Sequence, residues 1–355
     1  MLRFNEEIKV VMEATSSYHL LVFSYLKEKE IFVSVINPLI MKKYVSMTLR
    51  KGKTDKMDSI KVANYGIDNW FRLEEYQVAD ETYSELRLLG RQYAHYIKMR
   101  VESKLTLTNM LDKTMPGIKT LLKNNSENPE RDKLNDFVEE YWHFDNITRK
   151  SEKQFINSYI KWAKKKGYHQ NETKAKQIYA LASEGIPTIS SSTSSTKMLV
   201  LESVRVLREI DRTLNIILTQ MRELARGLKE YEVVKEMSGV GETLAPRLIA
   251  EIGDVRRFKN GKSLVAYAGI DAPPHESGNF RGTQRKISKR GSAILRKTGY
   301  EVMKCIKSNK PSEDSVYQFM MKKEAEGKPL KVAKIAALNK FLRIYYARVK
   351  EIYTA

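Results

Sequence analysis

Cysteine is nearly absent. Cys305 stands alone in 355 residues, which excludes an internal disulfide framework and a cysteine-based zinc site, fits a reducing cytosol, and reads as helix packing. Long apolar runs are missing too. The opening MLRFNEEIKVVMEA carries Glu and Lys where a signal peptide needs an apolar core, and no window approaches the ~20 apolar residues of a membrane span. A cytoplasmic protein with no membrane partner is therefore expected. Acid is also in short supply: 63 Lys and Arg face 43 Asp and Glu, a formal net charge of +20. The excess is concentrated in the C-terminal third, so a polyanion is the expected partner rather than a small acidic metabolite.

Apolar content of 42% supports globular packing, and the length suits two or three domains. Residues 1–78 read as α/β: a strand over 8–12, a helix over 17–29, a second strand over 31–36 closed by Asn37-Pro38, then helical patterning around Lys53-Thr54-Asp55. Two strands with one crossover make only an incomplete sheet, because a parallel sheet needs cover on both faces and usually more strands.

Residues 79–232 read as a helical connector. A helix over 82–113 has heptad-like spacing at Leu86, Leu89, Tyr93, Tyr96, Leu107 and Met110 before Pro116-Gly117 stops it. A second runs through Leu207, Ile210, Leu214, Ile217, Met221, Leu224 and Leu228 in steps of three and four, the a/d seam of a coiled coil. That seam serves a partner subunit, an antiparallel helix of the same chain, or simple burial within one subunit. Between the two, 124–171 is polar and expected to be a helical insertion. The Ser/Thr run over 186–196 is expected to be a flexible loop that caps the second helix.

Residues 233–355 hold the densest chemistry. Gly239 and Gly241, in Ser238-Gly239-Val240-Gly241, lie between two helical patterns as in a helix-hairpin-helix, whose second helix presents backbone amides to a phosphate; the bland reading is a structural αα-turn. Further on, Ser277-Gly278 runs into ten Lys/Arg between Arg281 and Lys310, with Glu301 the one acid. Such a field suits nucleic-acid phosphate. Arg281, Arg285, Lys286, Lys289 and Arg290 are the candidate phosphate contacts. A serine hydroxyl needs a base or cationic stabilisation before it attacks, and Ser277 has His275 and Glu276 beside it as candidate bases. Ser288 and Ser292 are rivals, although Ser292 also reads as an N-cap. At the other end, Glu13 closes a strand while Asp55 and Asp58 share a helix face, an oxygen-donor pattern suited to Mg²⁺; by itself such a pair is usually a solvated face.

Val11-Met12-Glu13-Ala14-Thr15 with Tyr18, Val35-Ile36-Asn37-Pro38, Lys53-Thr54-Asp55-Lys56-Met57-Asp58, Ser238-Gly239-Val240-Gly241, Tyr267-Ala268-Gly269, Ser277-Gly278 and Ile287-Ser288-Lys289-Arg290-Gly291 follow one another in an order and spacing that resembles the DEDD transposases of the insertion-sequence one-ten type, RNA-guided serine recombinases that use a bridge RNA. The resemblance covers both ends of the chain, and the middle matches in being helical. It implies a ribonuclease-H-like (RuvC-like) N-terminal domain, a coiled-coil connector and a mainly helical C-terminal transposase domain. It further implies Glu13, Asp55 and Asp58 as catalytic Mg²⁺ ligands and Ser277 as the nucleophile of a transient serine–DNA linkage. Donor and target DNA, a structured guide RNA and a homo-oligomer, dimer or tetramer, are the implied partners. The family's first aspartate lies on an earlier strand, so an N-terminally truncated chain is expected; Ser16 replaces the usual Gly. Two other outcomes stay open: an inactive nucleic-acid-binding remnant, and a metal-dependent junction nuclease in which Ser277 is structural.

Overall fold

The computed structural model describes residues 7–15, 18–46, 54–77, 80–122, 132–273 and 286–354, together with the backbone of 276–277 and 280–281. Two compact units divide the chain, Met1–Ala79 and Asp80–Ala355.

In the first unit, β1 (Lys9–Glu13) and β2 (Phe32–Ile36) are joined by α1 (Tyr18–Glu28), and the strands pair in parallel with Glu13 opposite Ile36. Parallel neighbours require such a crossover. Phe23 and Leu26 of α1 pack on Val33, with Val10, Met12 and Val35 joining from the sheet. Tyr76 closes edge-on against Phe23 at 5.0 Å between ring centres. Next comes α2 (Pro38–Ser46), where Pro38 occupies the first helical position, the one place its missing N–H costs nothing. After it α3 (Asp55–Asp68) packs on β1, and Gly66 makes the close approach possible: a Cβ there would lie 2.9 Å from Val11 Cγ2. These two strands are the whole parallel sheet among the described residues, as expected.

The second unit is built on two long helices. Asp80 caps α4 (Glu81–Thr114) by accepting from Thr82 N at 2.9 Å, and Gly117 turns the chain at φ 82°. A small bundle follows: α5 (Ile118–Leu121), α6 (Lys133–Glu140), α7 (Asp145–Thr148), α8 (Glu152–Lys165) and α9 (Glu172–Glu184). Then α10 (Ser194–Arg226) returns along α4. Arg100 pairs with Asp211, while a Cβ on Gly90 would touch Met221, so the two helices run antiparallel within the chain. An antiparallel helix of the same chain is one of the alternatives the seam allows. Burial falls on Leu207, Ile210, Leu214, Leu218, Met221 and Ala225, with Ile217 and Leu224 only partly covered. A helix of 3.6 residues per turn drifts ~20° per heptad from a strict 3.5 repeat, which moves the stripe onto Leu218 and Ala225.

At one end of the helix pair, Leu107, Leu111, Val200, Val204 and Leu207 close a core with the rings of the insertion. The insertion is polar in composition yet aromatic inside: Phe155, Tyr159 and Trp162 fall on one face of α8, which Ser151 and Gln154 start with a capping box. The Ser/Thr run is loop as far as Thr193, after which α10 begins. Thr193 stands at the N-cap of α10 with no side-chain cap bond, and the run is tied down: Ser191 donates to Asp145, and Thr196 Oγ1 donates to Ser190 O at 3.1 Å. Short polar side chains satisfy nearby backbone more readily than they stay free.

At the other end, Tyr83, Leu86 and Tyr93 share a core with Leu214, Leu218 and Met221 and with α11 (Tyr231–Lys235), α12 (Gly241–Ile252), α13 (Gly261–Tyr267), α14 (Ala293–Asn309), α15 (Ser315–Ala325) and α16 (Leu330–Ile352). Cys305 packs at the margin of this core. Between α13 and α14 a short antiparallel pair, β3 (Glu276–Ser277) and β4 (Phe280–Arg281), sets Ser277 opposite Phe280. No helix among the described residues is long and apolar enough to cross a membrane.

Candidate functional site

Glu13 ends β1 and lines a cleft of about 470 Å³ with Lys9, Val11, Ser59, Gly66 and Trp70. Lys9 is held there, its ammonium 4.6 Å from the Trp70 ring centre and donating to Trp70 O at 3.3 Å. Asp55 and Asp58 occupy the first turn of α3, behind the Thr54 cap that accepts from Met57 N at 3.2 Å. Acids in that turn complement the helix dipole on their own. Asp58 is taken by Lys61 at 2.8 Å. Glu13, Asp55 and Asp58 offer the hard oxygen donors that Mg²⁺ prefers, yet among the described residues no group of three or more His, Cys, Asp or Glu is arranged to hold a metal ion. As positioned, the three acids do not form the cage.

The serine region is built differently. Tyr267-Ala268-Gly269 and Ser288-Lys289-Arg290-Gly291, distant in sequence, dock edge to edge. Lys289 N donates to Gly269 O at 2.9 Å, and Ser292 N to Tyr267 O at 2.7 Å. Glycine is required on both sides: Gly269 sits at φ 64°, and a Cβ on Gly291 would lie 2.2 Å from Tyr267 O. Beneath this frame lies the buried carboxylate of Glu251. Ser292 Oγ donates to Glu251 Oε1 at 2.6 Å, the Arg87 guanidinium stands 4.0 Å away, and Arg87 also donates to the Tyr267 hydroxyl. Charge buried without partners is costly, so the Ser292 bond and the nearby Arg87 cation go together with the burial. Four helices, α4, α12, α13 and α14, thus meet at one point.

This arrangement separates the candidate serines. Ser292 is the N-cap of α14, accepting from Leu295 N at 3.0 Å while donating to Glu251. Ser288 donates to Asp271 Oδ1 and accepts from Arg290 N at 3.3 Å. Both rivals are hydrogen-bonded within the frame. Ser277 lies outside it, on β3. Lys286, Lys289 and Arg290 are exposed beside the frame, and Lys289 takes a left-handed φ of 54°. The backbone of Arg281 lies in β4, whereas Arg285, His275 and Gly278 fall outside the described residues.

In the hairpin between α11 and α12 the two glycines differ. Gly239 (φ 75°) faces inward, where a Cβ would lie 2.6 Å from Ile306 Cγ1 and 3.0 Å from Val302 O. Gly241 (φ 58°) faces open space. Close packing on α14 therefore accounts for Gly239, and an open amide-bearing turn remains at Gly241. Glu251, Arg87 and Asp271 are absent from the sequence-derived site. Their one legible signal is an acid inside the apolar run Leu248-Ile249-Ala250-Glu251-Ile252.

Residues 1–116 match a transposase family model of the DEDD, IS110 type, and residues 231–318 match a model described as the transposase IS116/IS110/IS902 family. The chain carries transposase domains of that kind at both ends. It is 30% identical over 113 residues to the pilin gene-inverting protein of Moraxella bovis, covering 32% of this chain and 34% of that one. To a probable family 20 transposase of Pseudomonas aeruginosa it is 28% identical over 134 residues, 36% of this chain and 38% of the relative. To the transposase for insertion sequence element IS1111A of Coxiella burnetii it is 28% identical over 113 residues, 28% and 31% of the two. The aligned stretch spans about a third of the length of these curated relatives.

Proposed function

We propose that this protein is the transposase of a mobile DNA element and joins DNA strands through Ser277. The carrying observation is the root of the serine hairpin: within the matched region 231–318, two motifs distant in sequence close into one frame that commits Ser288 and Ser292 to structure and leaves the β3–β4 excursion with Ser277. In the reaction, the Ser277 hydroxyl attacks a backbone phosphorus. A Ser–O–P bond forms, the bond from phosphorus to one deoxyribose oxygen breaks, the serine proton passes to solvent or a nearby base, and the departing oxygen takes up a proton. Attack by the freed hydroxyl of another strand on the same phosphorus reverses these bonds and restores the serine. Lys286, Lys289 and Arg290, with Arg281 and Arg285, hold the phosphates, and Gly241 offers a second backbone contact.

The net charge of +20 supports a large polyanionic partner, which we assign as donor and target DNA with a structured guide RNA, bound by a homo-oligomer. The β1–α1–β2 unit is assigned as part of a ribonuclease-H-like layer. The DEDD transposase family typically uses a divalent metal. Glu13, Asp55 and Asp58 are assigned as its Mg²⁺ ligands, an assignment that requires the three acids to converge beyond their present placement.

The deciding experiment incubates the protein with a fluorescent duplex spanning the element's own end and RNA transcribed from its flank. A denaturation-resistant protein–DNA adduct in the wild type, absent at any incubation time in Ser277→Ala and still reached on long incubation in Ser288→Ala, is the expected outcome; an adduct that survives Ser277→Ala removes the assignment. A second reading, a nucleic-acid-binding remnant, is favoured by the ungathered acids. It predicts RNA and DNA binding with no adduct, and no Mg²⁺-induced shift of the melting midpoint that Asp55→Asn abolishes.

A further inference from the structure

Asp271 and Ser288, which flank the excursion carrying Ser277 in the sequence, are tied twice. Ser288 N donates to Asp271 O at 2.8 Å, and the Ser288 hydroxyl donates to Asp271 Oδ1 at 2.5 Å. The second bond is continued, because Ser288 Oγ also accepts from Arg290 N and so links the aspartate to the turn that presents Lys289 and Arg290. Behind the clasp the chain has little freedom: Gly269 and Gly291 exclude a Cβ, and Arg296 Nη1 donates to both Ala268 O at 3.0 Å and Gly291 O at 3.1 Å.

Charge argues that Asp271 is there for this clasp. It is a half-buried carboxylate bonded to Ser288, which lies in sequence between the exposed Lys286 and the exposed Lys289 and Arg290, the cations assigned above to phosphate. For binding phosphate an acid at that point is unfavourable. Its bond to Ser288 supplies a separate use: it pins together the two residues between which the stretch carrying Ser277 lies in the sequence. A nucleophile must reach its target within a few tenths of an ångström, and a misplacement of about 1 Å costs on the order of 100-fold in rate.

We propose that Asp271 is a positioning residue for strand transfer: it acts through Ser288 to aim the excursion that carries Ser277, and does not itself touch DNA. This rests on Ser277 as the nucleophile. The test measures single-turnover adduct formation on the same fluorescent duplex and flank-derived RNA, together with duplex affinity and melting midpoint. In Asp271→Ala the adduct rate falls on the order of 100-fold while affinity is unchanged or slightly tighter and the midpoint stays near wild type. Asp271→Asn, which keeps an oxygen for the Ser288 hydroxyl, recovers most of the rate; a carboxylate acting as a base would not be rescued this way. Ser288→Ala slows the adduct as Asp271→Ala does, and the double variant is no slower than either. A wild-type rate in Asp271→Ala, no rescue by Asn, or additive losses in the double variant overturns the proposal. An adduct missing from the wild type, or kept by Ser277→Ala, instead overturns the nucleophile assignment and the proposal with it.

Discussion

The two compact units treat apolar surface in opposite ways. In residues 1–79 the buried cluster is Phe23, Leu26 and Val33, while Tyr18, Leu21 and Phe71 are 74%, 79% and 98% exposed. In residues 80–355 two extensive cores close around the α4–α10 pair, and two buried carboxylates are placed against specific partners: Glu251 with Ser292 and Arg87, Glu230 with Tyr83 and Tyr353. The difference teaches where geometry is set in advance. The serine frame rests on a dense core and is already assembled, whereas the acids stand on a thin layer and are not gathered.

The largest effect that would break this comparison is a core truncation. Leu86→Ala removes a fully buried side chain from the second unit and should cost about 2–5 kcal/mol in urea unfolding, against a change within ~0.5 kcal/mol for Phe71→Ser in the first. Equal losses would show that the first unit depends on surface taken here as solvent-facing. Next comes Ser292→Ala, which removes a helix cap and leaves Glu251 without its nearest donor; a loss of about 1–3 kcal/mol is expected by the same measurement. The smallest effect is alkaline. Burial, then the bond to Glu230, pushes the Tyr353 hydroxyl up to about 12, and burial raises Tyr83 further. The unfolded phenol titrates near ~10, so the fold favours the neutral form. Stability should therefore hold below pH ~10 and decline as pH climbs toward 12, with a shallower decline in Tyr353→Phe. A flat profile would remove this cluster from the account of the second unit.

Much of the frame was legible locally. Short apolar runs located β1 and β2, the three-and-four spacing located α10, and Ser292 announced itself as a cap by standing just before a helical pattern. The offset of the α10 stripe was less legible, because it depends on how a straight helix drifts against its partner. Glu251, Asp271 and Arg87 were not legible as a group. Each is an ordinary charged residue until folding brings α4, α12 and the ends of the excursion to one point.

Local pattern was enough for β1, α1, β2, α4 and α10, for the basic balance, for the candidate serines and acids, and for the two hairpin glycines, since these follow from periodicity, charge and backbone sterics within a few residues. Only the tertiary structure decided that α10 pairs antiparallel with α4, that Ser288 and Ser292 are taken by Asp271 and Glu251, and that the three acids stand ungathered. Those outcomes are contacts between residues tens to hundreds of positions apart, and no local pattern specifies which distant partner fills a given hydrogen bond.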